Sequence, residues 1–402
     1  MASSHIETNR CRPRIAIACG GTGGHLFPGL AVAEALRSRG ADVLLLTSTK
    51  EVDRNALGAA GGSEVASLEA VGLEKGGWGR FLRGFTRSLR QARALFHSRP
   101  PSAVLAMGGF TSAAPILVGR RMGATTYLHE ANAIPGRANR WLAHMVDQAF
   151  VNYTEAAARL RHRKILVTGM PVRSALLGVD SAACRHSLGL GPDCPVLLIV
   201  GGSQGARAIN QAVVRLLPAL ALTEPELQFV HLTGPDDIET VRRAYAAQQR
   251  RSVVEPFLIE MELALGAATV AISRAGASAL AEFAALRLPA VLIPYPSAAD
   301  NHQFHNAHAL VVSGAARLLL QHEATPDRLI WQIRELVRSD STRQAMSAAL
   351  ARWHRPDAAE RIAETIFLAL PDALQASAAA TERSGASAPV VGLRTAGSNP
   401  SL

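Results

Sequence analysis

Twice along its 402 residues the chain runs from a short apolar stretch into a cluster of glycines and out into a segment of helical periodicity. The first unit is Arg14–Cys19, then Gly20-Gly21-Thr22-Gly23-Gly24-His25, then Phe27–Arg39, with another apolar run at Val43–Thr47. The second is Pro195–Val200, then Gly201-Gly202-Ser203-Gln204-Gly205, then Ala206–Leu217. Strand, glycine turn, helix and strand in that order make a βαβ unit with a parallel sheet. Further strand-like runs fall at Ala103–Met107, Thr125–His129, Gln148–Val151 and Ile165–Val167, and after the restart at Gln228–Leu232, Val253–Glu255, Val270–Ile272 and Ala290–Pro294. The expected fold class is α/β, with two Rossmann-like domains over residues 14–175 and 176–355 and a boundary near Pro171–Asp180. A break at Trp353-His354-Arg355-Pro356 precedes one last helix, residues 357–370, expected to return to the first domain. Residues 1–13 read as a polar tail, and 372–402, rich in Ala, Ser, Thr and Gly, as a disordered one.

With 48% hydrophobic and 18% charged residues, the chain is too apolar to be disordered and long enough to bury two cores. Its four cysteines, Cys11, Cys19, Cys184 and Cys194, show no C-x-x-C spacing. Neither a disulfide framework nor a zinc site is expected, and a reducing cytoplasm fits. The polar start lacks a signal-peptide apolar region. One uncharged window, residues 101–119, is broken by Gly108-Gly109, Thr111-Ser112 and Pro115, so it reads as domain core rather than a membrane span. The formal net charge of +10 leaves two readings. Either the composition is simply arginine-rich, or the partner is anionic: nucleic acid, a membrane face or a polyanionic small molecule.

The glycine loops point to a phosphate. A phosphate needs several backbone N–H donors in a small volume, and residues without Cβ let the chain come that close. One glycine cluster is weak evidence, since tight turns need glycine too; two at matching strand-to-helix junctions are stronger. Neither is a P-loop, because no Gly-Lys-Ser/Thr follows. Neither fits G-x-G-x-x-G, and no acidic residue ends Val43–Thr47 to hold a dinucleotide ribose, which argues against a nicotinamide-dependent dehydrogenase.

The runs GGTGGHLFPGLAVAEAL (Gly20–Leu36), MGGF (Met107–Phe110), LHEAN (Leu128–Asn132), GMPVR (Gly169–Arg173), GGSQGARAIN (Gly201–Asn210), EPF (Glu255–Phe257), SRAGASALAE (Ser273–Glu282) and LPAVLIPYPSAADNHQFHNA (Leu288–Ala307) occur in that order. Together they resemble the MurG family of N-acetylglucosaminyltransferases, glycosyltransferase family 28, from about Arg14 to Leu370. The resemblance implies the GT-B architecture, two Rossmann-like domains with the active site in the cleft between them. It implies inverting transfer of N-acetylglucosamine from UDP-N-acetylglucosamine to lipid I, an undecaprenyl-pyrophosphoryl-MurNAc-pentapeptide, giving lipid II for peptidoglycan and cell wall synthesis. It places the enzyme peripherally on the cytoplasmic face of the cell membrane. Anionic lipids and other cell-wall synthesis proteins are further candidate partners, and nucleic acid is not expected.

Site residues carry over by motif. Glu282 matches the carboxylate that holds the ribose hydroxyls, and a carboxylate can accept two O–H bonds from a diol. Ala277 and Ser278 open the same helix, whose N-terminus can face the diphosphate. Arg173 and Ser203 match diphosphate contacts, and a cation there would stabilise departing UDP. No DxD-type motif is evident, so no cofactor and no metal are expected. Leu258 falls where the family's backbone binds uracil, and Asn132 and Gln303 match positions that hydrogen-bond the sugar. Thr22, Gly23 and Gly24 are further donor-side candidates; Gly20, Gly21, Gly23, Gly24, Gly108 and Gly109 are candidates for the acceptor diphosphate. His25 is the candidate general base, since inversion requires the acceptor 4-hydroxyl to lose a proton and a histidine titrates in the useful range. Capping the helix and binding the acceptor diphosphate are the competing roles for His25. The chain departs from the family at Met170, Ala131, Ala279 and His302, where polar residues (Asn, Gln, Thr and Gln) are usual. His302, His305 and His308 recur at three-residue steps, which drift around a helix and suit polar lining better than a metal.

Positive charge concentrates at Lys75, Arg80, Arg83, Arg87, Arg90, Arg93 and Arg99, with Phe81, Phe85, Leu89, Ala92 and Phe96 interleaved at steps of three to four and Trp78 just ahead. This is a basic amphipathic helix. It either packs its apolar stripe into the first domain or rests on anionic lipid through Trp78, Arg80, Phe81, Arg83, Phe85, Arg87 and Arg90. Two other functions remain: a UDP-N-acetylglucosamine 2-epimerase, which needs no acceptor, and a nucleic-acid-binding protein, which the absence of an RNP-like strand or zinc finger disfavours.

Overall fold

A computed structural model describes residues 12–21, 23–48, 62–69, 77–202, 204–372, 374 and 375. Thr22, Ser203, Lys75, the side chain of Trp78, residues 1–11 and nearly all of the 372–402 segment lie outside the described residues.

The first half runs β1 (Arg14–Ala18), α1 (Gly23–Ser38), β2 (Asp42–Ser48), β3 (Glu64–Leu68), α2 (Trp78–Ser98), β4 (Ala103–Ala106) and α3 (Ala113–Arg121). It continues with β5 (Thr125–Glu130), α4 (Arg137–Leu142), β6 (Gln148–Val151), α5 (Thr154–Leu160) and β7 (Ile165–Val167). The second half comprises α6 (Ser181–Ser187), β8 (Val196–Val200), α7 (Arg207–Thr223), β9 (Gln228–Leu232), α8 (Ile238–Ala247), β10 (Ser252–Glu255) and α9 (Met261–Ala267). Then come β11 (Val270–Ser273), α10 (Ala277–Leu286), β12 (Ala290–Leu292), α11 (His302–Val312), β13 (Arg317–Leu318), α12 (Pro326–Arg338), α13 (Asp340–Ala351) and α14 (Ala358–Leu368).

Among the described residues every strand pairing is parallel, in a seven-stranded sheet of order β3-β2-β1-β4-β5-β6-β7 and a six-stranded sheet of order β10-β9-β8-β11-β12-β13. Continuous apolar runs such as RIAIA and VLLIV are buried along their whole length because helices cover both faces. In each sheet the strand order reverses beside its first strand, between β1 and β4 and between β8 and β11. A ligand crevice opens at that point, outside the carboxyl ends of the strands. The glycine loops lie there because the turn must hug the neighbouring strand. A Cβ on Gly20 would stand 2.2 Å from the backbone nitrogen of Ser48, and one on Gly205 would stand 2.0 Å from the Thr233 carbonyl oxygen.

The chain crosses between the sheets twice, and the crossings touch. Gly169 is left-handed (φ +82°), and a Cβ there would come within 2.6 Å of Arg355 Cβ. The second crossing delivers α14 to the first domain, where Ile362, Ala363 and Ile366 share a core with Leu26, Val32 and Leu36 of α1. Each fully buried isoleucine contributes roughly 1.5–3 kcal/mol, enough to keep a three-turn helix docked.

Several sequence expectations shift. α1 begins at Gly23 rather than Phe27, so Gly23, Gly24 and His25 form its first turn instead of a loop. Low glycine propensity hides this start. α7 runs through Pro218 to Thr223, since Pro218 is exposed while Leu216, Leu217 and Leu220 keep the buried stripe going. The strands expected at Ala103–Met107 and Ala290–Pro294 stop at Ala106 and Leu292. β3 and β13 have no counterpart among the apolar runs of the sequence, because each is a sheet edge with little buried surface.

Candidate active site

A cavity of about 470 Å³ lies between the domains. Gly23, Gly24, His25, Phe27 and Asn132 line it from the first domain, and Gly202, Pro256, Phe257, Ala277, Ser278, Glu282 and Gln303 from the second. The N-termini of α1 and α10 both reach it. The cap of α10 is Gly276, with no side chain bonded to the first-turn N–H groups. Such an end carries partial positive charge and open donors, which suits a phosphate. Gly202 adds a second approach: its φ is +95°, and among the described residues nothing lies within 4 Å of where a Cβ would be.

Glu282, on α10, is half-buried at 13% side-chain exposure, and burial pushes its carboxyl up to about 7. Arg173 opposes that rise and Glu262 adds to it. Arg173 comes from the first crossing. It stands 3.9 Å from Glu282 Oε1, and its guanidinium lies 4.3 Å over the Phe27 ring. Gln303 Oε1 accepts from the backbone N–H groups of Ala275 and Tyr295, which fixes the amide against the turn that starts α10. Leu258 packs its side chain toward the core while Pro256 and Phe257 face the cavity.

His25 lies in the first turn of α1, against the glycines that follow β4. A Cβ on Gly108 would stand 2.9 Å from His25 Cε1, and one on Gly109 3.2 Å from Cδ2; both have positive φ, +109° and +79°. The MGGF turn thus makes room for the imidazole. Gly20 offers its carbonyl to Thr111 Oγ1 at 2.7 Å, and Gly21 faces the Phe110 ring. Gly108 and Gly109 stand against His25, Gly20 against Ser48 and Gly21 against Phe110, and none of the four lines the cavity.

Three buried residues were missed by the sequence reading. Glu130, 1% exposed, accepts from Asn132 N and Nδ2, Gly136 N and Asn139 Nδ2, so it shapes the loop that presents Asn132. Burial pushes its carboxyl up, against those donors. His129 donates from Nε2 to the Gly169 carbonyl at 3.0 Å, and burial lowers it to about 4, keeping it neutral. Asn306, 0% exposed, donates to Asn132 Oδ1 and the Ala275 carbonyl and accepts from Ala133 N, bolting one domain to the other. Asn132 therefore has both ends of its amide engaged within the protein. Glu130 and Asn306 stand inside the LHEAN and HQFHNA runs, which was the available signal.

Ala131, Met170 and Ala277 are buried against one another, so two of the family departures form a small apolar knot rather than a gap in a polar network. Ala279 and His302 line the cavity. His305 and His308 contact the Phe304 ring. Among the described residues, no group of three His, Cys, Asp or Glu side chains is placed to hold a metal ion, and no helix is long and apolar enough to cross a membrane.

The stripe of α2 divides along its length. Ala92 and Phe96 are buried in the core, whereas Phe81 and Phe85 stack at 5.9 Å and are only half-buried, and Leu82 is 54% exposed. Arg80, Arg83, Arg87 and Arg90 are exposed around them, with Arg87 paired to Glu69 at 3.0 Å.

Residues 15–151 match the glycosyltransferase family 28 N-terminal domain and residues 196–362 the family 28 C-terminal domain. The UDP-N-acetylglucosamine–N-acetylmuramyl-(pentapeptide) pyrophosphoryl-undecaprenol N-acetylglucosamine transferase of Moorella thermoacetica is 37% identical over 88% of this chain and 98% of its own length. The Geobacter sulfurreducens transferase of the same name is 35% identical over 87% and 97%. Among solved structures, Acinetobacter baumannii MurG superposes with a TM-score of 0.65 at 26% identity, covering 89% of this chain and 99% of that one. A putative UDP-N-acetylglucosamine 2-epimerase from Listeria monocytogenes reaches 0.67 at 15% identity over 88% and 95%, a likeness of fold alone. The chain belongs to the MurG family of N-acetylglucosamine transferases, within glycosyltransferase family 28.

Proposed function

We propose that the chain transfers N-acetylglucosamine from UDP-N-acetylglucosamine to the 4-hydroxyl of the N-acetylmuramyl residue of lipid I, giving lipid II for peptidoglycan. The observation that carries this reading is that His25 and Glu282 line one cavity from opposite domains, each on a helix whose N-terminus opens into it. In this reading the α10 end, Gly202 and Arg173 take the donor diphosphate, and Glu282 takes the ribose hydroxyls. Charge developing on the departing UDP is met by preorganised N–H groups and a guanidinium, so the chemistry is read as metal-independent. His25 removes the proton from the attacking hydroxyl. Glu130 and Asn306 act on the sugar through Asn132, by holding its loop.

The acceptor's polyprenyl chain stays in the bilayer, so the enzyme must meet it there. The exposed half of α2, with Leu82, Phe81 and Phe85 ringed by arginines, suits contact with anionic lipid on the cytoplasmic face. Incubation with UDP-N-acetylglucosamine and a lipid I analogue tests the whole reading: UDP release should require the acceptor and match disaccharide formation. Release of UDP without acceptor, or conversion of the free UDP-sugar to its 2-epimer, would point to an epimerase instead.

A further inference from the structure

Arg140 Nη2 lies 2.8 Å from Asp300 Oδ2, joining residues 160 apart in sequence on opposite domains. Each partner is firmly mounted. Arg140 rides on α4, which is fastened from beneath: Gly136 at its start donates to Glu130, and Asn139 donates to Glu130 and to the His129 carbonyl. Asp300 sits in the turn before α11, where Asp300 (φ 50°) and Asn301 (φ 51°) are both left-handed. Asp and Asn are the non-glycine residues that adopt this conformation most readily, so the sequence itself favours the turn. Just beyond the turn, in the first turn of α11, Gln303 lines the cavity and accepts from the N–H groups of Ala275 and Tyr295.

We propose that Arg140 and Asp300 form a latch between the two domains, positioning the start of α11, with Gln303, over bound UDP-sugar and parting when UDP leaves. The proposal rests on the reading of this cavity as the UDP-sugar site. Both side chains are about two-fifths exposed, 42% and 43%. A pair so exposed is weak and screened by salt, which suits a contact that must open at every turnover. Neither residue reaches the reacting atoms, so both are positioning residues.

A double-mutant cycle tests the latch: Arg140→Gln, Asp300→Asn and the two together, with kcat and the KM for UDP-N-acetylglucosamine measured at low and high ionic strength. Asparagine at 300 keeps the tolerance for left-handed backbone. Each single change should raise the donor KM by about two- to fivefold, blunt its dependence on salt and leave the thermal midpoint unchanged. The double variant should be no worse than either single one. Unchanged KM in both single variants, or effects that simply add, would overturn the latch. Gln303→Ala is the control for the site reading. A raised KM there with an uncoupled cycle rejects the latch alone, whereas an unchanged KM there with a coupled cycle rejects the site reading.

Discussion

His25 and Glu282 face one cavity, and the proposed reaction gives them opposite tasks, one to accept a proton and the other to receive the ribose hydroxyls as a carboxylate. Loss of a general base costs ~10²–10⁴-fold in kcat, so His25→Ala should show a drop of that size with the donor KM nearly unchanged. Turnover within about threefold of the parent would falsify the catalytic role and leave His25 as a cap or an acceptor contact. Glu282 behaves differently because burial holds it at about 7. Its carboxylate form predominates only above that value, and only that form accepts two O–H bonds. The donor KM should therefore fall as pH rises through 7, and climb below it by up to about tenfold per unit. Glu282→Gln should raise the KM and flatten that profile, which a set of KM measurements between pH 6 and 8.5 would reveal. Gly108 is a third sensitive position, since any Cβ there meets the His25 ring in a backbone conformation that L-residues avoid. Gly108→Ala is expected to lower kcat through displaced His25, and the loss should not add to that of His25→Ala.

At the scale of elements, α2 packs into the core toward Phe96, whereas nearer its start Leu82 is exposed beside half-buried Phe81 and Phe85, the face proposed for lipid. Neutralising two arginines near an anionic surface removes about 1 kcal/mol each, or roughly 30-fold in binding. Arg83→Glu with Arg87→Glu should weaken sedimentation with phosphatidylserine or phosphatidylglycerol vesicles by at least that factor, while activity on a short-chain, water-soluble acceptor persists. Unchanged vesicle binding would remove α2 from the membrane contact. The periodicity of α2 was legible from sequence, but not where along its length burial stops, because that depends on which neighbours cover it. The same limit applies elsewhere. β1 and β8 were readable because strands covered on both faces leave unbroken apolar runs. Edge strands β3 and β13 leave no such mark, and the start of α1 was hidden by glycines placed for close approach rather than for helix propensity. Glu130 illustrates a subtler loss: its motif was visible, yet only the fold shows four N–H groups converging on it.

Across the whole molecule, two sheets whose apolar cores run together must hold one cavity between them, and the polar contacts that help to do so join residues far apart in sequence. Asn132 and Asn306 are 174 apart, so no local pattern could pair them. Their arrangement explains why Asn306 is an asparagine: it donates to two oxygens, Asn132 Oδ1 and the Ala275 carbonyl, and accepts from one N–H, Ala133. Asn306→Asp keeps the shape and reverses the donor end, so a carboxylate oxygen would face two acceptors at a site with no solvent exposure. An unsatisfied buried group costs about 1–3 kcal/mol, and more when charged. For domains of this size that corresponds to a fall of roughly 2–10 °C in Tm. Because the bolt ties the Asn132 loop to the turn that starts α10, the donor KM should rise as well, while Asn306→Ala, which removes the group without repulsion, should do less harm on both counts. Calorimetry and donor kinetics on the two variants decide the matter. Equal effects from Asp and Ala would mean that Asn306 fills space rather than aligns the two halves.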